Sequence, residues 1–141
     1  LYEGGIRTPM IVRWPGRVPA GAVSHQVWYF ADFLPTAAGL ADAQPPSNID
    51  GVSILPTLLG QEQNLKDRFL YWEHFGGGFQ QAVRVGDWKA ARSGLDKPLE
   101  LYDLATDLAE EHNVAAQHPD VVEKIEEYLK TARTDSECWP L

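Results

Sequence analysis

Ala82-Val83-Arg84-Val85-Gly86-Asp87-Trp88-Lys89-Ala90-Ala91-Arg92 is two short extended runs joined by two turn residues. A glycine in the first position of a two-residue connection supplies the positive φ of a II′ hairpin turn. Working outward, Phe69-Leu70-Tyr71-Trp72-Glu73-His74 is a further strand, separated from this hairpin by the flexible Phe75-Gly76-Gly77-Gly78-Phe79 stretch. On the other side, Pro98-Leu99-Glu100-Leu101-Tyr102-Asp103-Leu104 alternates with period two, the mark of a half-buried strand. Short connections make neighbours antiparallel, so a four-stranded antiparallel sheet follows. The last element is a helix opened by Pro119 and Asp120, where a missing N–H and a negative charge are both tolerated. Val121, Val122, Ile125, Tyr128, Leu129 and Ala132 form its apolar stripe, which must cover one face of the sheet. The fold class is therefore α+β, with its body in residues 68–134.

The first half reads differently. Met10-Ile11-Val12-Arg13-Trp14 lies between Pro9 and a Trp-Pro-Gly turn, and its apolar content on both faces predicts a buried strand. Gln26 to Phe30 reads as a second extended run. Two short helices follow, Asp32-Phe33-Leu34-Pro35-Thr36-Ala37-Ala38-Gly39 and Ser53-Ile54-Leu55-Pro56-Thr57-Leu58-Leu59-Gly60. Asp32 and Ser53 are placed to cap them, and Gly60 suits a left-handed C′ position. Strand and helices together resemble the edge of a larger α/β unit, giving two regions, 1–67 and 68–141. An exposed strand at 10–14 would offer its edge to a second copy of the chain, so self-association there is an expectation.

With 141 residues, 44% of them hydrophobic and 23% charged, the composition is that of a globular domain. A domain of this size buries roughly two-thirds of its extended surface. No apolar run approaches the ~18–20 residues of a membrane span. The net charge of -8 sits entirely in residues 100–141, which hold 11 acidic and 3 basic side chains, while residues 1–99 are balanced. A neutral body with an acidic end offers no electrostatic footprint for nucleic acid and is repelled by an anionic bilayer. The single cysteine, Cys138, forms no internal disulfide. The start at Leu1, without Met or a basic leader, suggests a piece of a longer protein.

Candidate chemistry is sparse. His25, His74, His112 and His118 are scattered without zinc spacing, and Asn48-Ile49-Asp50-Gly51 is better read as a turn than as ligands for a hard cation. Arg84, Lys89 and Arg92 around Trp88 are too few to bind single-stranded nucleic acid. Glu3-Gly4-Gly5 beside Arg7 is a glycine-rich turn next to a charge pair. His74, where a strand meets a glycine-rich loop, can exchange a proton near neutral pH, although a surface histidine at a strand end is the plainer reading. No residue of the chain is assigned a catalytic or metal-binding role.

Six segments, in order, resemble the C-terminal part of the sulfatase family. They are Tyr2-Glu3-Gly4-Gly5-Ile6-Arg7-Thr8-Pro9 through Trp14-Pro15-Gly16; Asp32-Phe33-Leu34-Pro35-Thr36; Asp50-Gly51-Val52-Ser53-Ile54-Leu55-Pro56; Trp72-Glu73-His74; Ala82 to Lys89; and Glu100-Leu101-Tyr102-Asp103-Leu104 with Asp107 and Glu110. Leu108 stands where the family's pattern has proline. The resemblance implies that residues 1–67 are the edge of an α/β catalytic domain and 68–141 its C-terminal subdomain, acting on an aryl or carbohydrate sulfate ester. It also implies a calcium ion and a formylglycine, made from the cysteine of a C-x-P-S/A-R motif, in a preceding segment, together with a lysine about four residues before Tyr2. Cys138-Trp139-Pro140-Leu141 is not such a motif. The isolated chain is expected to be inactive, with His74, Glu3, Gly4 and Gly5 as candidates for lining the substrate pocket. The resemblance further suggests export from a bacterial cell. A phosphodiesterase or phosphonate hydrolase of the wider alkaline-phosphatase-like superfamily, or a non-catalytic interaction domain, are the alternatives.

Overall fold

The computed structural model describes residues 1–138 and Pro140. The chain divides into two compact units, residues 1–8 with 66–141, and residues 9–65. In chain order the elements are α1 (Glu3–Ile6), α2 (Phe33–Leu40), α3 (Leu55–Leu58), β1 (Phe69–His74), β2 (Gln80–Val85), β3 (Trp88–Ser93), β4 (Glu100–Asp103) and α4 (Pro119–Leu129).

The first unit is the antiparallel sheet, in the order β1-β2-β3-β4, with α4. Its register puts Phe69 opposite Val85, His74 opposite Gln80, Arg84 opposite Lys89, and Lys89 opposite Tyr102. Gly86 turns the central hairpin at φ +59 while Asp87 keeps negative φ, so only a II′ turn fits. Directly opposed residues share a face. Phe69, Tyr71, Val83, Val85, Trp88, Ala90 and Leu101 therefore point one way, and Leu70, Trp72, His74, Ala82, Arg84, Lys89, Glu100 and Tyr102 the other.

The apolar face meets α4. Val83, Val85, Ala90, Leu99, Leu101 and Ile125 form a buried cluster, flanked by Val121, Val122, Tyr128 and Leu129. The Phe69 and Tyr128 rings stack at 4.3 Å. Pro119 and Asp120 open the helix as the sequence indicates. The helix stops at Leu129, short of Ala132, because Lys130 and Thr131 already bond to the carbonyls three residues back, at 3.3 and 3.1 Å. Past this end, Arg133 Nε donates to Glu73 Oε2 at 3.2 Å and ties the tail to β1.

In the second unit, hydrogen bonds join two of the motifs. Asp32, fully buried, accepts the Val52 N–H on Oδ1 at 2.8 Å and the Tyr29 N–H on Oδ2 at 3.1 Å. Thr36 donates to the Asp32 carbonyl at 2.6 Å and accepts the Ile54 N–H at 3.0 Å. Asp32 thus holds the neighbouring segment instead of capping its own helix, as the sequence had suggested. Ser53 Oγ does accept the Leu55 N–H, at 3.3 Å, but the helix is a single turn. It closes at Gly60, φ +76, with Gly60 N–H on Thr57 O and Gln61 N–H on Pro56 O, the two bonds of a Schellman motif.

The sequence expectation of strands in the first half is corrected. Met10–Trp14 and Gln26–Phe30 form no strand among the described residues, and the Ile11 side chain is 93% exposed. Apolar, β-branched content favours extension, but a strand also needs a neighbouring strand to pair with, and neither stretch belongs to the described sheet. Residues 1–8 pack with the sheet.

Ile125 has no exposed surface, so Ile125→Ala is expected to lower stability by about 2–5 kcal/mol in urea denaturation, through lost burial and a residual cavity. A Cβ on Gly51 would meet the Ala31 carbonyl oxygen at 1.9 Å. Gly51→Ala is expected to break the Asp32–Val52 contact, seen as loss of amide-exchange protection at Val52 and Ile54 while the sheet amides stay protected.

Candidate functional site

The polar-edged face of the sheet carries the N-terminal turn. Lys89 is the second residue of β3, an inner strand, and its side chain has no exposure to water. Its Nζ is 2.9 Å from Glu3 Oε1, 3.5 Å from Glu110 Oε1, and 5.7 Å from the centroid of the Trp72 ring. The Glu3 and Glu110 side chains are only 5% and 3% exposed. Arg84 Nη1 approaches Glu3 Oε2 at 3.5 Å, and the Glu3 backbone N–H donates to Glu110 Oε2 at 2.5 Å. Glu3 is thus fastened through its side chain and its main chain. Glu110 Oε1 makes no hydrogen bond, so the Lys89 ammonium at 3.5 Å is its electrostatic partner. Removing the lysine alone would take that charge from the buried Glu110 and leave Glu3 with Arg84 at 3.5 Å, a loss of the order of 3–5 kcal/mol.

Tyr2 is held beside this cluster. Its hydroxyl donates to Glu100 Oε2 at 2.5 Å, and the Tyr102 hydroxyl donates to the same oxygen at 2.9 Å. The two rings meet edge to face at 6.2 Å. The hydrogen bond to Glu100, then burial, push the Tyr2 phenol up to about 12. Burial first, then Glu100, raise Tyr102 as well. On the other face burial, then Glu73, push Tyr71 up to about 12.

The pocket candidates occupy different positions. The carboxylate of Glu3 is buried against Lys89, whereas Gly4 and Gly5 are exposed, and a Cβ on either would meet nothing within 4 Å. His74 is exposed at the end of β1, with its ring over Gly76, next to the edge-to-face pair of Phe75 and Phe79 at 5.1 Å. It shares a face with Arg84 and Lys89. Four register pairs, about 13 Å, separate His74 from Leu70, the residue opposite Arg84, so the strand ladder does not bring His74 and the Glu3 cluster together.

Sequence reading weighed Lys89 only as a nucleic-acid contact and gave Glu110 only a place in a motif. The signal for Lys89 is its register: alternation from Ala90 and Leu101 puts it on the face away from α4, in an inner strand. Glu110 leaves no comparable trace, because a left-handed φ of +56 turns it inward from an irregular loop. Leu108, in place of proline, is largely exposed, and the Asp103–Asp107 turn before it keeps its 2.7 Å backbone bond.

Among the described residues, no three His, Cys, Asp or Glu side chains converge as metal ligands. Cys138 is exposed, while Trp139 and Leu141 of the same stretch lie outside the described residues. No helix among the described residues is long and apolar enough to cross a membrane.

The four-stranded sheet, its covering helix and the clasped Tyr-Glu-Gly-Gly turn gather in one body several of the segments that resemble the sulfatase family. Residues 1–135 match the family described as N-sulphoglucosamine sulphohydrolase, C-terminal, and the chain belongs to that family. It is 44% identical over 91 residues to the N-acetylgalactosamine-6-sulfatase of Canis lupus familiaris, covering 63% of this chain and 17% of that protein. It is 33% identical over 150 residues to the N-acetylgalactosamine-6-O-sulfatase of Bacteroides thetaiotaomicron, covering 94% and 28% respectively. The chain thus spans less than a third of the length of either relative. Among solved structures, a putative sulfatase from Bacteroides thetaiotaomicron superposes with a TM-score of 0.61 at 25% identity, over 70% of this chain and 23% of that one. The phosphonate monoester hydrolase of Agrobacterium radiobacter gives 0.52 at 25% identity, over 71% and 23%.

The raised Tyr2 phenol predicts a pH signature. A group whose folded pKa lies above its usual value of 10.0 gives stability that is complete below about pH 10 and is lost as pH rises toward about 12. Tyrosinate absorbance should therefore show a late phase, and Tyr2→Phe should remove one residue's share of it.

Proposed function

We propose that the protein carrying this sequence hydrolyses a sulfate ester of a carbohydrate, and that these residues form part of its substrate site. The observation that supports the reading is membership of the sulfatase family over residues 1–135, with the family-like Tyr2-Glu3-Gly4-Gly5 stretch intact and locked in place. Two relatives named as N-acetylgalactosamine 6-sulfatases favour an amino-sugar 6-sulfate over an aryl sulfate. In this reading residues 1–67 are the edge of the catalytic domain and 68–141 its C-terminal subdomain.

The chain's own residues bind and orient in this scheme. Gly4 and Gly5 offer bare backbone, which lets another group approach closely. His74 offers a hydrogen-bonding or protonatable ring to a sugar hydroxyl or to the sulfate. The nucleophile, and the calcium and formylglycine expected of the family, belong to the larger enzyme, and the 141 residues alone turn nothing over.

The phosphonate-hydrolase reading is the weaker one, since that enzyme superposes less closely than the sulfatase does. A direct comparison separates them. The full-length enzyme is expected to release sulfate from N-acetylgalactosamine 6-sulfate faster than it cleaves a phosphonate monoester or phosphate diester, and the reverse order would favour the alternative. His74→Ala should lower kcat/KM for the sugar sulfate by about tenfold, a loss of ~1.4 kcal/mol. Unaltered turnover of every sulfate ester tested would remove His74 from the site.

A further inference from the structure

We propose that Lys89 is a positioning residue for sulfate-ester hydrolysis: through Glu3, it sets where the Gly4–Gly5 backbone lies. The inference rests on the sulfatase reading above and extends it to residues that touch no substrate.

The α1 turn is four residues long and contains two glycines. A single turn of this composition does not hold itself together in water, because nucleation fixes several dihedrals for one hydrogen bond. What holds it is the sheet. Glu3 meets Lys89 at 2.9 Å and Arg84 at 3.5 Å, its N–H meets Glu110 at 2.5 Å, and Tyr2 meets Glu100 at 2.5 Å. Lys89 is the centre of this clasp, since it alone faces both buried carboxylates.

Stability does not explain such a cluster well. Apolar side chains of similar volume in place of a buried ion pair are often as stabilising or more so, whereas charges that must meet fix one geometry. Here the geometry fixed is that of the turn. Neither glycine has a positive φ, and a Cβ on either would find open space, so nothing within the described structure demands glycine at these positions. A group from outside it that comes close to the backbone would. Displacing a turn in contact with substrate by about 1 Å is enough to slow a reaction on the order of 100-fold.

The test uses the full-length enzyme with Lys89→Met and Lys89→Arg, N-acetylgalactosamine 6-sulfate as substrate, and amide hydrogen exchange. In Lys89→Met, kcat should fall 10- to 100-fold with KM within threefold of the parent. The Gly5, Ile6 and Arg7 amides, bonded to Tyr2 and Glu3 carbonyls, should exchange at least tenfold faster, while those of β2 and β3 are unchanged. Lys89→Arg, which keeps the charge, should recover kcat to within about fivefold. Should Lys89→Met fail to fold, the triple variant Glu3→Gln, Lys89→Met, Glu110→Gln removes all three charges and should show the same kinetic and exchange pattern. A kcat within twofold of the parent while residues 5–7 exchange freely would overturn the positioning role and leave the sulfatase reading standing. Unchanged protection of residues 5–7 would show that Lys89 does not hold the turn, with the same consequence. A parent enzyme that releases no sulfate would sink the sulfatase reading and this role with it.

Discussion

An ammonium group sealed from water must be met by negative charge, and Lys89 finds it in two carboxylates that are remote in sequence. Glu3 is 86 residues away, and Glu110 comes from the loop after β4. Because all three are buried, none can be withdrawn without leaving the others costly to keep. This requirement closes the first compact unit: it brings residues 1–8 onto a sheet built from residues 69–103 and draws the Glu110 loop over the same place. Tyr2, Glu100 and Tyr102 extend the arrangement with two further hydrogen bonds, the Tyr2 one exposed.

The sheet can serve both partners because its two faces differ. One has an apolar centre and takes α4; the other mixes Leu70, Trp72 and Ala82 with Arg84, Lys89 and Glu100 and takes the N-terminal turn. Strand alternation is enough to sort them, and the II′ turn at Gly86-Asp87 fixes the phase. A shift of one residue would bury Arg84 and Lys89 against Ile125 and turn Val83 and Ala90 toward Glu3. The hairpin's register thus decides the core and the clasp together.

Much of this was legible in the sequence. Strand positions followed from period-two runs and turn residues, and α4 from its apolar stripe, because those signals are local. Sequence resemblance also placed the family's motifs correctly, and the hydrogen bonds of Asp32 and Thr36 to Val52 and Ile54 now give two of them a physical reason. What failed was non-local. Met10–Trp14 had the composition of a buried strand without a partner to make it one. Lys89 entered the sequence reading only as one of three basic residues too few for nucleic acid, because nothing in its neighbourhood announces Glu3 or Glu110. Glu3 was recognised beside Gly4 and Gly5 as one unit, yet its carboxylate faces inward while the glycines face out, a distinction that spacing cannot express.

The first unit is assembled from two stretches with residues 9–65 between them. During synthesis the Tyr2–Ile6 turn leaves the ribosome long before β2, β3 and the Glu110 loop exist. At about 5–20 residues per second it spends several seconds without its binding surface. Its two glycines and single helical turn suit that interval, since they commit the segment to no competing structure. The clasp is therefore one of the last features this unit can acquire.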